Sequence, residues 1–462
     1  KEELKDTKLI GINAMASTRK RAEQLIKFFE NMNIPVVWGG PHPTFFPDKA
    51  FENCNIICVG EAEEAFIEFV DKLEKGEDIR NIQNFYIRID EKEYKNPVRS
   101  LEHQNLDWLA NPDYNIEDHK FLENGKLIPF EERHLGGMIF FQTERGCPQA
   151  CSFCTNNIMR ELYKGKGNTI RTHSVDYCIK ELKSLKERFP SIGVFDLRDE
   201  TFTIRNIKWI REFCERYKKE IGIRFKCLAE PASMSSESMS EEKMRLLVDA
   251  GLTDIIIGIQ SGSDRVNFEV FNRFITQNQL LKCAKVANKF SDKLAVMYDL
   301  ITTNPYETPE DILETIKLLM KIPPPFYLSV NNLIYFEGTP LYKQALKDGY
   351  IKNEKDSAST LNYWDRWAHI KLKRKNEYLN LVTNLMRGPA TKTRIGLLPR
   401  GFIRLLIRDG IVNFNLNNKF PTYLTGNMIS VMDAARENVA KPIYHSMPVS
   451  FKLWYDKVRY HA

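Results

Sequence analysis

Disulfide-forming and membrane-spanning features are scarce in this sequence. Only 9 of its 462 residues are cysteine, an odd number, and outside one short stretch they are scattered. This usage, with no secretory signal, indicates a reducing cytosol and argues against a disulfide framework. No apolar run approaches the roughly 20 residues that a bilayer requires, so we expect a soluble, cytoplasmic protein.

A strong charge of one sign is also lacking. The chain has 67 basic and 61 acidic residues and a formal net charge of +6, which does not indicate a nucleic-acid partner. Basic residues become frequent only in residues 366–375 and 394–410. Such runs favour a solvated helix face, and the alternative is an amphipathic surface for a membrane or an acidic partner. The aromatic C-terminal region and the apolar part of 394–410 indicate, less directly, a hydrophobic, lipid-like substrate.

The first 100 residues alternate between buried strands and amphipathic helices. Strands are predicted in 8–16, 34–40 and 54–60, and helices in 19–32 and 63–76. This alternation is typical of a parallel, doubly wound, Rossmann-like α/β sheet. Such a sheet usually has about five strands, and the sequence opens on Lys1, so we expect the N-terminal part of this domain to be missing.

After a connecting segment at 101–136, the alternation resumes over residues 137–345. Six strands with following helices predict an open, partial (β/α)6 barrel whose functional groups lie at the carboxyl ends of the strands. Residues 346–462, with Trp364 and Trp367, predict a small, mostly helical C-terminal domain. The six predicted strands are 137–143, 193–197, 223–228, 253–259, 294–301 and 326–333.

Three of the cysteines lie in one stretch, ERGCPQACSFC, directly after the first predicted barrel strand. Cys147, Cys151 and Cys154 have the spacing C-x3-C-x2-C, and Gly146 and Pro148 mark the stretch as a loop. Thiolates this close converge easily on one soft metal centre. Three ligands on a four-iron cluster leave one iron open for catalysis.

Other interpretations of this loop stay open. A zinc site of the Cys3His type would recruit His134 or His173, although neither has the usual spacing. An electron-transfer cluster would need a fourth cysteine, and the remaining six are distant in sequence. Cys178 and Cys214 fall on predicted helices and Cys58 in a buried strand, where cysteine is commonly a small core residue.

The loop, with Phe153 before its last cysteine, resembles the cluster loop of the radical S-adenosylmethionine (SAM) superfamily, whose fold is a partial (β/α)6 barrel. The resemblance implies a [4Fe–4S] cluster that holds SAM and cleaves it reductively to a 5'-deoxyadenosyl radical. It also implies that Asp199 or Glu200, after the second strand, lies near the SAM amino group. The alternative is a carboxylate pair that caps the next helix.

Two further segments extend the resemblance. Residues 258–266 resemble the segment that meets adenine and ribose, which makes Gln260, Ser261 and Ser263 candidates, and Arg273 is a candidate for the SAM carboxylate. Residues 302–311 resemble the superfamily's Gly-x-Pro-Gly-Glu-Thr turn, but with Asn and Tyr in place of two glycines. We therefore expect the backbone there to differ.

The first domain resembles the second half of the cobalamin-binding domain that precedes the barrel in one radical SAM subfamily. The resemblance implies that the Gly39–Gly40 and Gly60–Glu61 turns approach the corrin and its tail, where a Cβ atom would block the backbone. An Asp-x-His-x-x-Gly motif is absent, Asn13 stands where a serine is common, and His42 is not assigned as a ligand.

These features together predict a cobalamin-dependent radical SAM enzyme that transfers a methyl group to an unactivated carbon of a small-molecule substrate, with a reductant such as flavodoxin or ferredoxin. The alternatives are a radical SAM enzyme without cobalamin, either methylthiotransferase-like or ring-forming, and a non-catalytic iron–sulfur protein. Catalytic side chains are not assigned.

Overall fold

The chain forms two compact units, each built from separate stretches of sequence. A computed structural model describes residues 6–234, 237–352 and 376–418. The described residues of the first unit are 6–104, 147–170 and 334–352, and the remaining described residues form the second unit. The cysteine loop therefore belongs to the same unit as the N-terminal sheet.

The strands and helices follow the chain in a regular order. The strands are β1 (Ile10–Asn13), β2 (Val36–Gly39), β3 (Ile56–Cys58), β4 (Phe85–Ile89), β5 (Lys92–Lys95), β6 (Lys120–Glu123), β7 (Lys126–Pro129), β8 (Met138–Phe141), β9 (Glu144–Arg145), β10 (Arg171–Thr172), β11 (Val194–Leu197), β12 (Arg224–Ala229), β13 (Leu252–Gln260), β14 (Ala295–Thr302), β15 (Phe326–Asn332), β16 (Gly388–Ala390), β17 (Arg394–Ile395) and β18 (Leu398–Pro399). The α-helices are α1 (Arg19–Glu30), α2 (Pro41–Phe45), α3 (Pro47–Asn53), α4 (Glu63–Lys75), α5 (Asn156–Leu162), α6 (Val175–Arg188), α7 (Ile207–Arg216), α8 (Glu237–Ala250), α9 (Gln277–Asn288), α10 (Pro309–Lys321), α11 (Pro340–Lys347), α12 (Glu377–Leu385), α13 (Arg400–Leu406) and α14 (Asp409–Asn417).

The first unit contains a five-stranded sheet in the order β1-β2-β3-β4-β5. Strands β1 to β3 are parallel and confirm the three predicted strands, whereas β4 and β5 form an antiparallel hairpin. The sequence did not predict the two strands of this hairpin, which is a correction. Its turn uses Asp90 and Glu91 with φ of 49° and 60°, where Asn or Gly would have been the usual sequence sign.

The helix after the cysteine loop packs on this N-terminal sheet. Met159 and Leu162 of α5, and Tyr163 directly after it, contact a buried apolar cluster that includes Trp38 and Ile57. Burial of these side chains ties the loop's helix to the first unit through the hydrophobic effect. The position of the loop therefore depends on the N-terminal sheet.

The second unit contains the barrel sheet. Its six parallel strands run in the order β8-β11-β12-β13-β14-β15, and they confirm the six predicted strands. Alternate residues, such as Phe195 and Phe225, enter the main core beneath the helices. Thr308 caps α10 through the backbone N–H of Asp311, as predicted. The carboxyl ends of all six strands meet at one edge.

The described part of the predicted C-terminal domain extends the barrel sheet. Strand β16 pairs antiparallel with β15, and β17 and β18 follow it. Trp364, Trp367 and the basic run 366–375 lie outside the described residues. Among the helices that the structure describes, none is long and apolar enough to span a bilayer.

Gly262 provides a test of how the segment after β13 packs. A Cβ atom at Gly262 would lie 2.4 Å from the Cα atom of Thr315 on α10. We expect Gly262→Ala to lower the free energy of unfolding by about 1–3 kcal/mol, because the helix backbone must move. Gly11→Ala is the matched control, since a Cβ atom there meets nothing within 4 Å. Equal denaturant midpoints for the two variants would contradict this packing.

Candidate active site

The cysteine loop is a tight turn that leads directly into a helix. The backbone N–H of Cys154 donates to the carbonyl of Cys151 at 3.0 Å, and the N–H of Asn157 in α5 donates to the carbonyl of Cys154 at 3.1 Å. The side-chain amide of Asn157 also donates to the Cys151 carbonyl. Phe153, between these two cysteines, is half-buried. The turn thus places the second and third cysteines within one compact stretch.

Exposure separates the triplet from the other six cysteines. Cys147 and Cys154 are partly exposed. Cys151 is buried but still 9% exposed, whereas the other six are 3% exposed or less. Burial raises the pKa of Cys214 and Cys283 to about 12, because a thiolate is poorly solvated in a core. The buried six are Cys54, Cys58, Cys178, Cys214, Cys227 and Cys283. Five of them lie on strands or helices and Cys54 directly follows α3, so all six are core residues, as predicted for Cys58, Cys178 and Cys214.

The loop's donor set fits an iron–sulfur cluster. Three cysteines within eight positions supply soft thiolate ligands, which such clusters use. In the described ranges, no three His, Cys, Asp or Glu side chains are arranged to hold a single metal ion.

The two histidines considered for a zinc site have local partners. His173 is buried, lies 3.2 Å from an Asp107 carboxylate oxygen and stacks on Tyr177 with ring centroids 3.9 Å apart. His134 accepts a hydrogen bond from the backbone N–H of Glu131 at 2.9 Å. Both imidazoles therefore have structural roles within the second unit.

The two predicted carboxylates after β11 occupy different environments. Asp199 is fully buried and accepts hydrogen bonds from the backbone N–H groups of Thr143 and Glu144 at 2.6 and 3.0 Å, and from the Thr143 hydroxyl. It thereby joins the end of β11 to the segment after β8. Glu200 is exposed. The contact with SAM stays a prediction, and Glu200 is the member of the pair with a side chain available for it.

A buried ion cluster surrounds Asp199, and the sequence did not reveal it. The Arg205 guanidinium lies 3.0 Å from a Glu144 carboxylate oxygen, 3.6 Å from Asp199 and 4.3 Å from the Trp209 ring centroid, and it donates to the Thr143 hydroxyl at 2.6 Å. Burial raises the pKa of Glu144 to about 7, and the nearby Asp199 adds to the rise while Arg205 opposes it. The one sequence signal was the position of Glu144, three residues before Cys147.

The end of β13 is distorted where the resemblance implies contact with adenine. Gln260 has a φ of 63°, uncommon for a residue other than glycine, and the pairing with β14 shifts register at this point. Its side chain is half-buried. Such strain is concentrated at functional sites, which keeps Gln260 a candidate.

The two serines after Gln260 face α10. Ser261 is buried with its hydroxyl 3.5 Å from the Thr315 hydroxyl, and Ser263 donates to Asp311 at 2.7 Å. Ser261 Oγ also accepts from the backbone N–H of Ser263 at 3.2 Å. These bonds give both side chains a packing role, and their predicted contact with SAM stays a prediction.

Arg273 is buried beneath the same strand. Its guanidinium donates to the carbonyls of Ile259 and Gly258 at 3.0 and 2.8 Å and lies 3.5 Å from Glu230. These contacts support the distorted end of β13 from below. The predicted bond to the SAM carboxylate stays a prediction.

Side chains of the same unit pack against the glycine turns expected to face cobalamin. A Cβ atom at Gly40, with φ of 94°, would lie 2.0 Å from the side-chain oxygen of Asn13, and one at Gly60, with φ of 82°, would lie 2.3 Å from the Tyr163 hydroxyl. Gly39 has no such restriction. The need for glycine at both turns is therefore explained without a corrin.

The turn after β14 has an unusual backbone conformation, and its difference from the superfamily turn stays a prediction. Thr303, a β-branched residue, has a φ of 60°. The backbone N–H of Thr303 donates to the side-chain oxygen of Asn380 in α12 at 2.9 Å, and the Thr303 hydroxyl donates to the side-chain oxygen of Asn332 at 2.8 Å. Bonds from two elements hold this strained residue in place.

These features define a cysteine loop attached to a parallel six-stranded barrel sheet, which is the architecture of a radical SAM domain. Residues 142–319 match the family profile of the radical SAM superfamily, a span that includes the loop and the carboxyl ends of β11 to β14. This span of the chain is a radical SAM domain, and enzymes with such a domain bind a [4Fe–4S] cluster and SAM.

Similar proteins include several methyltransferases. An uncharacterized methyltransferase of Pyrococcus horikoshii is 29% identical over 353 residues, which cover 75% of this chain and 71% of the relative. The bacteriochlorophyllide d C-8(2)-methyltransferase of Chlorobaculum tepidum is 23% identical over 381 residues, which cover 80% of this chain and 74% of the relative.

Two solved structures have the same fold. The radical SAM methyltransferase TsrM of Kitasatospora setae matches with a TM-score of 0.58 at 16% identity, over 74% of this chain and 65% of TsrM. The cobalamin-dependent SAM radical enzyme OxsB matches with a TM-score of 0.59 at 15% identity, over 94% of this chain and 68% of OxsB. The chain thus spans about two thirds of the length of each.

The raised pKa of Glu144 predicts a pH-dependent stability. Between about pH 4.5 and 7, the Glu144 carboxyl keeps its proton in the native state but loses it in the unfolded state. The free energy of unfolding of the wild type, relative to that of E144Q, should therefore fall as pH rises through this window and level off above it. Denaturant unfolding of the cluster-free proteins at several pH values measures the difference. E187Q, at an exposed position, is the control, and parallel curves for wild type and E144Q would contradict the prediction.

Proposed function

We propose that this chain is a radical SAM enzyme that transfers a methyl group to an unactivated carbon of a small-molecule substrate. The observation that carries the proposal is the loop with Cys147, Cys151 and Cys154, two of which are partly exposed. The chain contains a radical SAM domain, and its relatives include named methyltransferases.

The cluster and SAM have separate sets of candidate ligands. The three cysteines would hold the [4Fe–4S] cluster, and Glu200 and Gln260 would contact SAM. When bound and reduced, these groups supply a 5'-deoxyadenosyl radical. A low-potential electron donor such as flavodoxin or ferredoxin would provide the electron.

The chain's own contribution is to orient these groups and to exclude water. Asp199 and Arg205 fix the backbone at Thr143 and Glu144, just before the loop. Arg273 supports the end of β13 that presents Gln260. Both supports are buried: the first fixes the backbone just before the cysteine loop, and the second fixes the strand end that presents Gln260.

The inner face of the barrel sheet provides a polar surface for substrate. Asp196, Lys226 and Asp254 pair in register across β11, β12 and β13 and line a cavity of ≈160 Å³. Closer to the carboxyl ends of the strands, on the same face, Asp299 of β14 pairs in register with Ser329 of β15. Burial raises the pKa of Asp299. Such groups suit hydrogen-bond donors of a substrate.

Cobalamin dependence is part of the proposal because OxsB and TsrM share the fold and are described with cobalamin bound. The N-terminal sheet would hold the cofactor at the carboxyl ends of its parallel strands. The packing of Asn13 and Tyr163 against the glycine turns favours a second candidate, a radical SAM reaction without cobalamin, such as ring formation. We assign no step to cobalamin.

Removal of the three cysteines tests the cluster site. After anaerobic reconstitution, the triple variant with Ala at Cys147, Cys151 and Cys154 should lack bound iron and iron–sulfur absorbance, and it should form no 5'-deoxyadenosine from SAM under a strong reductant. Cys283→Ala, at a buried position of α9, is the matched control and should keep the cluster. Iron retained by the triple variant would overturn the assignment.

Hydroxocobalamin separates the two candidate reactions. We expect titration of the chain with hydroxocobalamin to change the visible spectrum of the cofactor, because a protein site replaces its aqueous surroundings. A spectrum identical to that of free cobalamin, in protein that still cleaves SAM, would favour the reaction without cobalamin.

A further inference from the structure

Tyr163 joins the helix of the cysteine loop to the N-terminal sheet. It directly follows α5, is 2% exposed and packs in the apolar cluster of the first unit with Trp38 and Val59. Its hydroxyl oxygen accepts a hydrogen bond from the backbone N–H of Glu61 at 2.7 Å. A single side chain thus combines core packing with a polar contact at the end of β3.

The Gly60–Glu61 turn has a shape that accepts this hydroxyl. Gly60 has a φ of 82°, and a Cβ atom there would lie 2.3 Å from the Tyr163 hydroxyl and 3.2 Å from its ring carbon Cζ. Any larger residue would displace the tyrosine. Gly60 and Tyr163 are therefore matched to each other.

A chain of hydrogen bonds continues from this turn to the neighbouring strand. The backbone N–H of Gly60 donates to the Thr44 hydroxyl oxygen at 3.0 Å, and the Thr44 hydroxyl donates to the carbonyl of Gly40 at 2.9 Å. The turns after β2 and β3 and the helix of the cysteine loop are thus linked through Thr44 and Tyr163.

Residues just after Tyr163 strengthen the attachment. The backbone N–H of Leu101 donates to the carbonyl of Lys166 at 2.6 Å, and the Lys166 ammonium donates to the carbonyl of Val98. Gly167 forms a bridge with Leu101, where a Cβ atom would lie 2.3 Å from the Leu101 carbonyl oxygen. The segment 163–167 is therefore fixed along 98–101. Helix α5 connects this segment to the cysteine loop.

We propose that Tyr163 is a positioning residue that sets the place of the cysteine loop, and of the cluster on it, relative to the Gly60–Glu61 turn. The inference rests on the proposed function in so far as the loop carries a cluster. It implies that a ligand bound at the carboxyl ends of β2 and β3 stands at a fixed distance from the cluster. The hydroxyl is the essential group, because a phenylalanine would fill the same core space but leave the Glu61 N–H without this acceptor.

The first test removes only the hydroxyl. Tyr163→Phe should keep the iron content of wild type, but the EPR spectrum of its reduced cluster should broaden and its dissociation constant for SAM should rise by about fivefold, the effect of one lost hydrogen bond. Tyr86→Phe is the matched control, because Tyr86 packs on Phe51 in the same unit and its hydroxyl makes no hydrogen bond within the described residues. Identical spectra and SAM affinities for the two variants would overturn the proposal.

The second test uses the steric match. Gly60→Ala should reduce cluster loading by at least about tenfold, because its Cβ atom displaces the tyrosine. The double variant with Gly60→Ala and Tyr163→Phe should recover part of this loss, since removal of the hydroxyl leaves Cζ as the nearest ring atom. A double variant no better than Gly60→Ala would contradict a direct contact.

The same comparison distinguishes this inference from the proposed function. In cluster-free protein, limited proteolysis within 147–167 should be faster for Gly60→Ala than for wild type and slower again for the double variant. A wild-type chain that binds no iron would overturn the proposed function, and the proteolysis would still decide whether Tyr163 holds the loop. Equal proteolysis of all three proteins would overturn the positioning role.

Discussion

The candidate site depends on the burial of one carboxylate, Asp199. A buried carboxylate is costly unless every oxygen has donors, and here the donors come from the backbone and hydroxyl of the segment that precedes the cysteines. Arg205 lies beside the same carboxylate, and its guanidinium is also 3.0 Å from a Glu144 carboxylate oxygen. The ends of two parallel strands and the start of the loop are therefore fixed by a single electrostatic balance.

The sequence predicted the fold well where hydrophobic pattern determines it. The six barrel strands are buried on their outer face and flanked by amphipathic helices, so period and length were sufficient. It failed at the β4–β5 hairpin, whose Asp90–Glu91 turn carries no glycine or asparagine. The grouping of 147–170 with the N-terminal sheet was also missed, since contacts between distant segments leave no periodic signal.

The site was predicted by its types of residue and less well by their roles. The cysteine spacing is local and could be read directly, as could the acidic pair after β11. Which of Asp199 and Glu200 is exposed depends on tertiary burial, and so do the bonds of Ser261, Ser263 and Arg273 to α10 and β13. Glu144 and Arg205 lie far apart in sequence, and neither has a pattern that would pair them.

The first unit is built from three separate stretches of the chain, and this affects when it can fold during translation. Its sheet is complete once residue 95 has been made, but the cysteine loop also bonds to a segment near residue 340, where the backbone N–H of Leu341 donates to the carbonyl of Ser152 at 3.0 Å. All six barrel strands are translated between these two points. Because domains fold as units during synthesis, the loop acquires this backbone support only after the ribosome has released the barrel strands.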